Sequence, residues 1–297
     1  MGGAMSVIHT TSGQVGAPTG IAQPDGAVIV HAGGGADALP GIAATSWAIA
    51  RSGAFEQLVF DTTGAGQALL ELRADAAIVR IDGSRGLLGA LQEALAELRC
   101  VAVVVHADDD AGLAAALAAS RLGISLVRVG GGVVDGGSAR VIARLADLQL
   151  VNHTEDARAL GAHAAPERLH VVGNPAIDAV RRFARAASQR VAWRRLGLEP
   201  GSYTLASLCG DATLPDGAVT EPPETGYIDH LSLVQAARTV VTDSPRVRAE
   251  AAALGVRHHA PGEAQAPEPA AIPLWDGRAG ARITRVLVAN FARVRYV

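Results

Sequence analysis

The chain has 297 residues, a formal net charge of −3 and a hydrophobic content of 49%. That is enough apolar material for two cores, and the charge balance gives no electrostatic basis for a nucleic-acid partner or an anionic membrane surface. All 26 cationic residues are arginine, which excludes a Schiff-base lysine, a P-loop and any other lysine-based catalyst. No run approaches the roughly 20 apolar residues of a membrane span, and the opening lacks the basic-then-apolar pattern of a secretory leader. Cys100 and Cys209 lie far apart in the sequence, which fits a reducing cytoplasm and argues against a zinc site.

Residues 1–26 are rich in Gly, Ser and Thr and read as a flexible arm. Val28-Ile29-Val30 then leads through Gly33-Gly34-Gly35 into a helix over Leu39 to Arg51. The runs Leu58–Phe60, Ala77–Val79, Val101–Val105, Ser125–Val129 and Leu148–Val151 are short, β-branched and apolar on both faces. Such runs suit parallel strands covered by helices on each side. The intervening stretches predict helices over Gly66–Arg73, Leu87–Leu98 and Ala111–Leu122, the last closed by Gly123 as a C-cap. Residues 27–175 therefore read as a doubly wound α/β lobe. Residues 176–297 read as a reduced second lobe: a long Arg-studded helix over Ala179–Leu196, strands at Tyr203–Leu208 and Thr239–Thr242, and helices at Tyr227–Ala236, Pro245–Leu254 and Ala281–Phe291. Only 17 residues separate Cys209 from Tyr227, too few to hide a further strand–helix–strand repeat. The C-terminal segment from Ala281 is expected to pack back toward the first lobe.

Four ordered stretches carry a family likeness. They are Val103-Val104-Val105-His106-Ala107-Asp108; Arg144–Leu148 followed by His153-Thr154-Glu155; Val172-Gly173-Asn174-Pro175-Ala176-Ile177-Asp178; and Tyr227-Ile228-Asp229 with Val241-Thr242-Asp243-Ser244 and Glu250-Ala251 through Leu254-Gly255-Val256. In this order they resemble the non-hydrolysing UDP-N-acetylglucosamine 2-epimerases. The resemblance implies the GT-B-type α/β architecture of two Rossmann-like lobes shared with many glycosyltransferases, with a nucleotide sugar held between the lobes. It also implies an isomerase that removes the proton at sugar C2, eliminates UDP and adds it back with C2 inverted.

The residues that such chemistry needs are mostly replaced. Where the family has Arg and Lys in its first loop, the chain reads Gly34-Gly35-Ala36-Asp37-Ala38-Leu39-Pro40-Gly41; where it has Gln-His, the chain has Thr63-Gly64-Ala65. Its Glu and Arg stretch has become Arg128-Val129-Gly130-Gly131-Gly132, and its Pro-Glu-Glu stretch Gly136-Gly137-Ser138-Ala139. Pro245 and Arg246 replace two glycines after Asp243-Ser244, and no Gly-His-Arg element follows Leu208. Asp108 survives as a vestigial candidate base, although in Asp108-Asp109-Asp110 it could equally be a helix N-cap. Gly34 and Gly35 could cradle a phosphate or simply form a tight turn. Asp243, Ser244 and Glu250 are candidate nucleotide-sugar-binding residues, Ser244 doubling as a helix cap ahead of Pro245. His258-His259 would point to opposite faces of a strand, so no metal site is expected, and no cofactor is implied.

General acid–base groups each contribute roughly 10²–10⁴-fold, and cationic stabilisation of a leaving phosphate is comparable. One aspartate does not offset several such losses. The expected function is therefore an epimerase-like pseudoenzyme acting by association, as a homodimer or as a heterodimer with an active paralogue, with a UDP-sugar as a possible ligand. The alternative is a nucleotide-sugar-processing enzyme of changed chemistry that uses Asp108 with arginines from new positions, Arg128, Arg246 and Arg248 among them.

Overall fold

The computed structural model describes residues 6–8, 27–84, 86–130, 136–161, 165–208, 214–263 and 272–292. The chain divides into two compact units, residues 1–175 with 278–297, and residues 176–277.

The first unit is built on an eight-stranded sheet. Its strands are β1 (Ser6–Ile8), β2 (Val28–Ala32), β3 (Glu56–Asp61), β4 (Ala77–Arg80), β5 (Cys100–Val105), β6 (Ser125–Val129), β7 (Leu148–Val151) and β8 (Leu169–Val171), ordered β1-β4-β3-β2-β5-β6-β7-β8. Only β1 is antiparallel, with Val7 opposite Val79 on β4. Residues 6–8, expected in the loose arm, are thus an edge strand; the rest of that arm lies outside the described residues. Strands β2 and β5 are buried along their whole length, as apolar runs in a two-sided sheet must be.

Helices α1 (Leu39–Ser52), α2 (Gly66–Glu71), α3 (Leu87–Glu97), α4 (Asp110–Leu122), α5 (Gly137–Leu145) and α6 (Thr154–Leu160) connect these strands. Gly123 closes α4 in the left-handed region at φ 66°, as its C-cap position predicts. On one sheet face Leu91, Leu95, Val103, Val105 and the alanines of α4 form a core. On the other, Ile29, Ala102, Val104 and Val127 pack with Ile283, Leu287 and Phe291. Those last three come from α11 (Ala279–Phe291), the helix that rejoins the first unit. It lies close against α1, because a methyl group on Gly280 would stand 2.8 Å from the Ala44 carbonyl oxygen.

The second unit holds α7 (Pro175–Arg190, from Ala176 on), α8 (Ala192–Arg195), α9 (Tyr227–Ala236) and α10 (Pro245–Ala253). Its four parallel strands are β9 (Thr204–Ser207), β10 (Val219–Thr220), β11 (Thr239–Thr242) and β12 (His258–His259), ordered β10-β9-β11-β12. The single helix read over Ala179–Leu196 is two, broken at Val191, which takes φ 45°. Leu205, Leu233, Val240, Val247 and Ala251 form this unit's own core.

Two sheets and their helices bury the described apolar cores. Among the described residues only Val141, Leu214 and Leu274 are exposed large hydrophobics. Among the described residues no helix is long and apolar enough to cross a membrane, and no group of three or more metal-ligating side chains is present.

Candidate functional site

The first sheet reverses its winding between β2 and β5, since β3 and β4 continue to one side and β6 to β8 to the other. The loops at the carboxyl ends of those strands form the topological switch point, where open α/β sheets bind ligands. Gly34, Gly35 and Asp108 all lie there. In the second unit Asp243, Ser244 and Glu250 gather at the end of β11 and along α10.

Asp108 meets a fully buried arginine. Arg128, 1% exposed on β6, donates from Nε to Asp108 Oδ1 at 2.8 Å and from Nη2 to Oδ2 at 2.5 Å. Its Nη1 makes a longer 3.5 Å contact with Gln149 Oε1, and Gln149 Nε2 donates to the Ala143 carbonyl at 2.6 Å. A two-point guanidinium–carboxylate fork is the strongest geometry this pair can adopt. Each oxygen of the surviving carboxylate accepts one of these bonds.

The helix cap expected at this acidic cluster belongs to the next residue. Asp109 Oδ1 accepts from Gly112 N at 2.8 Å, capping α4. Its Oδ2 accepts from Gly34 N at 2.8 Å and Gly35 N at 2.9 Å. The two amides that could have cradled a phosphate thus hold an internal carboxylate. Nearby, Asp61 Oδ1 accepts from the amides of Thr63, Gly64 and Ala65, and Oδ2 from Gly66 N and Arg80 Nη1. Burial alone would raise the Asp61 pKa, but Arg80 and the amides of Gly64, Ala65 and Gly66 outweigh it and hold it below the usual range.

A histidine pair that the sequence did not single out lies beneath this edge. Gln57 Nε2 donates to the carbonyls of Ser46 and Asp75 at 3.1 and 3.0 Å. That orientation leaves its Oε1 to accept from His31 Nε2 at 3.1 Å. His31 Nδ1 must then accept from His106 Nε2, 3.0 Å away. His106 Nδ1 is left as a buried acceptor without a hydrogen-bond partner, 3.7 Å from where a methyl group on Gly41 would sit. Burial drives the His31 pKa down to about 4 and the His106 pKa well below its ordinary value.

The second unit follows the same pattern. Ser244 caps α10, accepting from Val247 N at 3.3 Å ahead of Pro245 at the first helical position. Asp243 is exposed. Glu250 is fully buried, and its Oε2 takes Arg246 Nη1 at 2.7 Å and His230 Nε2 at 2.8 Å. His230 Nδ1 is 2.7 Å from Glu221 Oε1. Burial opposes charge on His230, but Glu221 and Glu250 outweigh it and push its pKa up to about 9. Glu250 is held below the usual carboxylate range: burial would raise it, yet Arg246 and the imidazolium prevail. Tyr227 stacks on His230 with centroids 6.2 Å apart, and burial with the Glu250 charge lifts its phenol well above the ordinary value. Arg248 is exposed on α10.

Spacing alone gave no sign of these partnerships. Arg128 reaches Asp108 across neighbouring strands, and Glu221 reaches His230 across a loop. Gly131, Gly132 and the segment directly after Leu208 lie outside the described residues.

A sequence profile of the UDP-N-acetylglucosamine 2-epimerases matches residues 66–208. No curated protein matches the chain. Among solved structures, the chain is similar to the UDP-GlcNAc 2-epimerase of Methanocaldococcus jannaschii in complex with UDP-GlcNAc and UDP, with 15% identity and a TM-score of 0.71 over 89% of this chain and 99% of that one. It is similar to the UDP-N-acetylglucosamine 2-epimerase of Rickettsia bellii, with 14% identity and a TM-score of 0.66 over 91% and 90%. The likeness to a putative UDP-N-acetylglucosamine 2-epimerase of Listeria monocytogenes has 17% identity and a TM-score of 0.68 over 79% of each chain. At these identities the structural likeness shows the fold: the chain has the architecture of the UDP-N-acetylglucosamine 2-epimerases, and residues 66–208 match the profile of that family.

Proposed function

We propose that this protein keeps the epimerase fold without the epimerase reaction and acts through association, as a second copy's partner or beside an active epimerase. The observation that carries the reading is the clamp on Asp108. A general base must turn a lone pair toward the proton it takes, and the two-point bond to buried Arg128 fixes the plane of the Asp108 carboxylate and takes one lone pair of each oxygen. The alternative, altered nucleotide-sugar chemistry with relocated arginines, finds two of its three named cations engaged, Arg128 on Asp108 and Arg246 on Glu250, and the third, Arg248, exposed on α10.

The Methanocaldococcus relative is solved with UDP-GlcNAc and UDP, which makes those two compounds the ligands to try. Glu250 is fully buried, with Oε2 held by Arg246 and His230 and Oε1 shielded from solvent, and Gly34 and Gly35 already donate their amides to Asp109. Calorimetric titration with UDP and UDP-GlcNAc is expected to give no saturable heat. Saturable binding of either at micromolar concentration would restore the altered-enzyme reading. For association, half-buried Leu87 and Leu88 on α3 and Leu113 and Leu122 on α4 border the first unit's core and are the proposed contact. Light scattering of the protein alone, and mixed with an active epimerase, tests this; a monomer in both would remove the association role. A cytoplasmic setting is part of the same proposal, and buried Cys100, its thiol pushed up to about 11 by burial, is inert there.

A further inference from the structure

The Gly33–Gly35 turn has a shape that its side-chain-free backbone makes possible. A methyl group on Gly34 would stand 2.8 Å from Thr63 Cγ2 and 3.0 Å from Ala111 Cβ, so no larger residue fits there. What this close approach leaves pointing into the switch point is a pair of consecutive N–H groups. Both converge on one oxygen, Asp109 Oδ2, at 2.8 and 2.9 Å. Successive amides aimed at a single acceptor are the anion-binding arrangement of phosphate loops. A third donor stands beside them. The Thr62 hydroxyl is buried without a hydrogen-bond partner, 3.3 Å from the position a Gly34 methyl would occupy.

We propose that this turn is a phosphate-shaped cradle that the chain keeps filled with its own Asp109 carboxylate, and that removing the carboxylate opens it to a free tetrahedral oxyanion. The carboxylate is fixed in place because its other oxygen caps α4 through Gly112 N. A tethered group of this kind acts at an effective concentration in the millimolar range or above, and its charge repels any second anion at contact distance. Nothing but the chain itself then occupies the cradle. The inference rests on the reading of the protein as one that does not turn over a nucleotide sugar, but it concerns anion entry and not proton exchange.

Asp109→Ser separates the two duties of the side chain. Serine is among the best N-caps, so Gly112 N keeps an acceptor, while the shorter side chain no longer reaches Gly34 and Gly35. Glycine-labelled wild type and variant are titrated with inorganic phosphate at constant ionic strength, following the Gly34 and Gly35 amide shifts. The wild type is expected to show no saturable change, and the variant a saturable one, with affinity raised at least about tenfold. A folded variant that stays silent, or a wild type that saturates at the same two amides, would overturn the proposal. Should the variant fail to fold, hydrogen exchange in the wild type decides: protected Gly34 and Gly35 amides support the filled cradle, and open-loop exchange rates sink it. Proton exchange at sugar C2 by the wild type would end the pseudoenzyme reading and leave the phosphate result standing; a silent serine variant would do the reverse.

Discussion

At the scale of single residues, the chain settles each buried charge with an internal partner, and the cost of breaking a pair follows. Arg128 is fully buried and Asp108 partly so, with side-chain exposures of 1% and 28%. Removing one member of a buried pair costs ~3–5 kcal/mol, whereas replacing both with apolar groups of similar volume is often near neutral. Asp108→Ala is therefore expected to lower unfolding stability by about 3 kcal/mol, the low end because Asp108 is partly wet. Arg128→Met with Asp108→Leu should recover most of that loss, read from urea unfolding midpoints. A double variant as unstable as the single would show that Arg128 is not the partner that matters. The sequence displayed Asp108 and Arg128 but not their pairing. A cap and a base look alike in Asp108-Asp109-Asp110, and only the strand register, with Val105 opposite Arg128, decides which aspartate does what.

The histidines set opposite pH slopes in the two units. His31 is depressed to about 4 from 6.5, so between those values the unfolded chain binds a proton that the folded chain refuses. Stability then falls as pH drops from 6.5 toward 4, by roughly 1.4 kcal/mol per unit for one such group. His106, depressed in the same direction by burial and by His31, adds to the slope. His230 is raised to about 9, so its contribution is whole below 6.5 and is lost as pH rises through 9. Hydrogen exchange should find the first unit weakening in acid and the second in alkali. His230→Phe should flatten the alkaline limb alone; an unchanged limb would mean that the Glu221–His230–Glu250 arrangement does not carry it.

At the scale of elements, much of both units was legible. In the first, β6 and β7 coincide with the expected bounds and α1, α3 and α4 agree within a residue or two; in the second, α9 and β11 coincide. The sequence reading named no helix over α5 or α6, and it missed β1, β8 and β10, short edge strands with too few residues to show a period. The break at Val191 has no local cause in the sequence, since a β-branched residue disfavours positive φ. Close packing at helix starts was equally hidden. A methyl group on Gly112 would lie 2.0 Å from the Ala107 carbonyl oxygen, so α4 sits on its own entry loop. Gly112→Ala is expected to destabilise the first unit by roughly 1–3 kcal/mol, the range for overpacking, by thermal unfolding. Ser244→Ala should cost about 1 kcal/mol as a lost N-cap and leave UDP titrations as featureless as in the wild type. A cap variant that changed UDP binding would place Ser244 in a nucleotide site.

At the scale of the whole molecule, our proposal is that the epimerase fold is kept without the epimerase reaction. The profile match over residues 66–208 and the fold shared with the solved structures agree with each other. The candidate residues read from the sequence have partners within the chain: Asp108 with Arg128, the Gly34 and Gly35 amides with Asp109, and Glu250 Oε2 with Arg246 and His230. The sequence displayed the substitutions themselves, because motif residues can be read one by one. It could not display that the replacements bond to the survivors, which needs the folded neighbourhood of residues 20 or more apart, as for Arg128 with Asp108 and His230 with Glu250. The most direct test of the central claim is proton exchange at the sugar. Incubated with UDP-N-acetylglucosamine in heavy water and followed by NMR, the protein is expected to leave C2 undeuterated and to form no manno epimer. Sustained deuteration at C2 that disappears in Asp108→Asn would show that the clamped carboxylate still works as a base and would contradict the account.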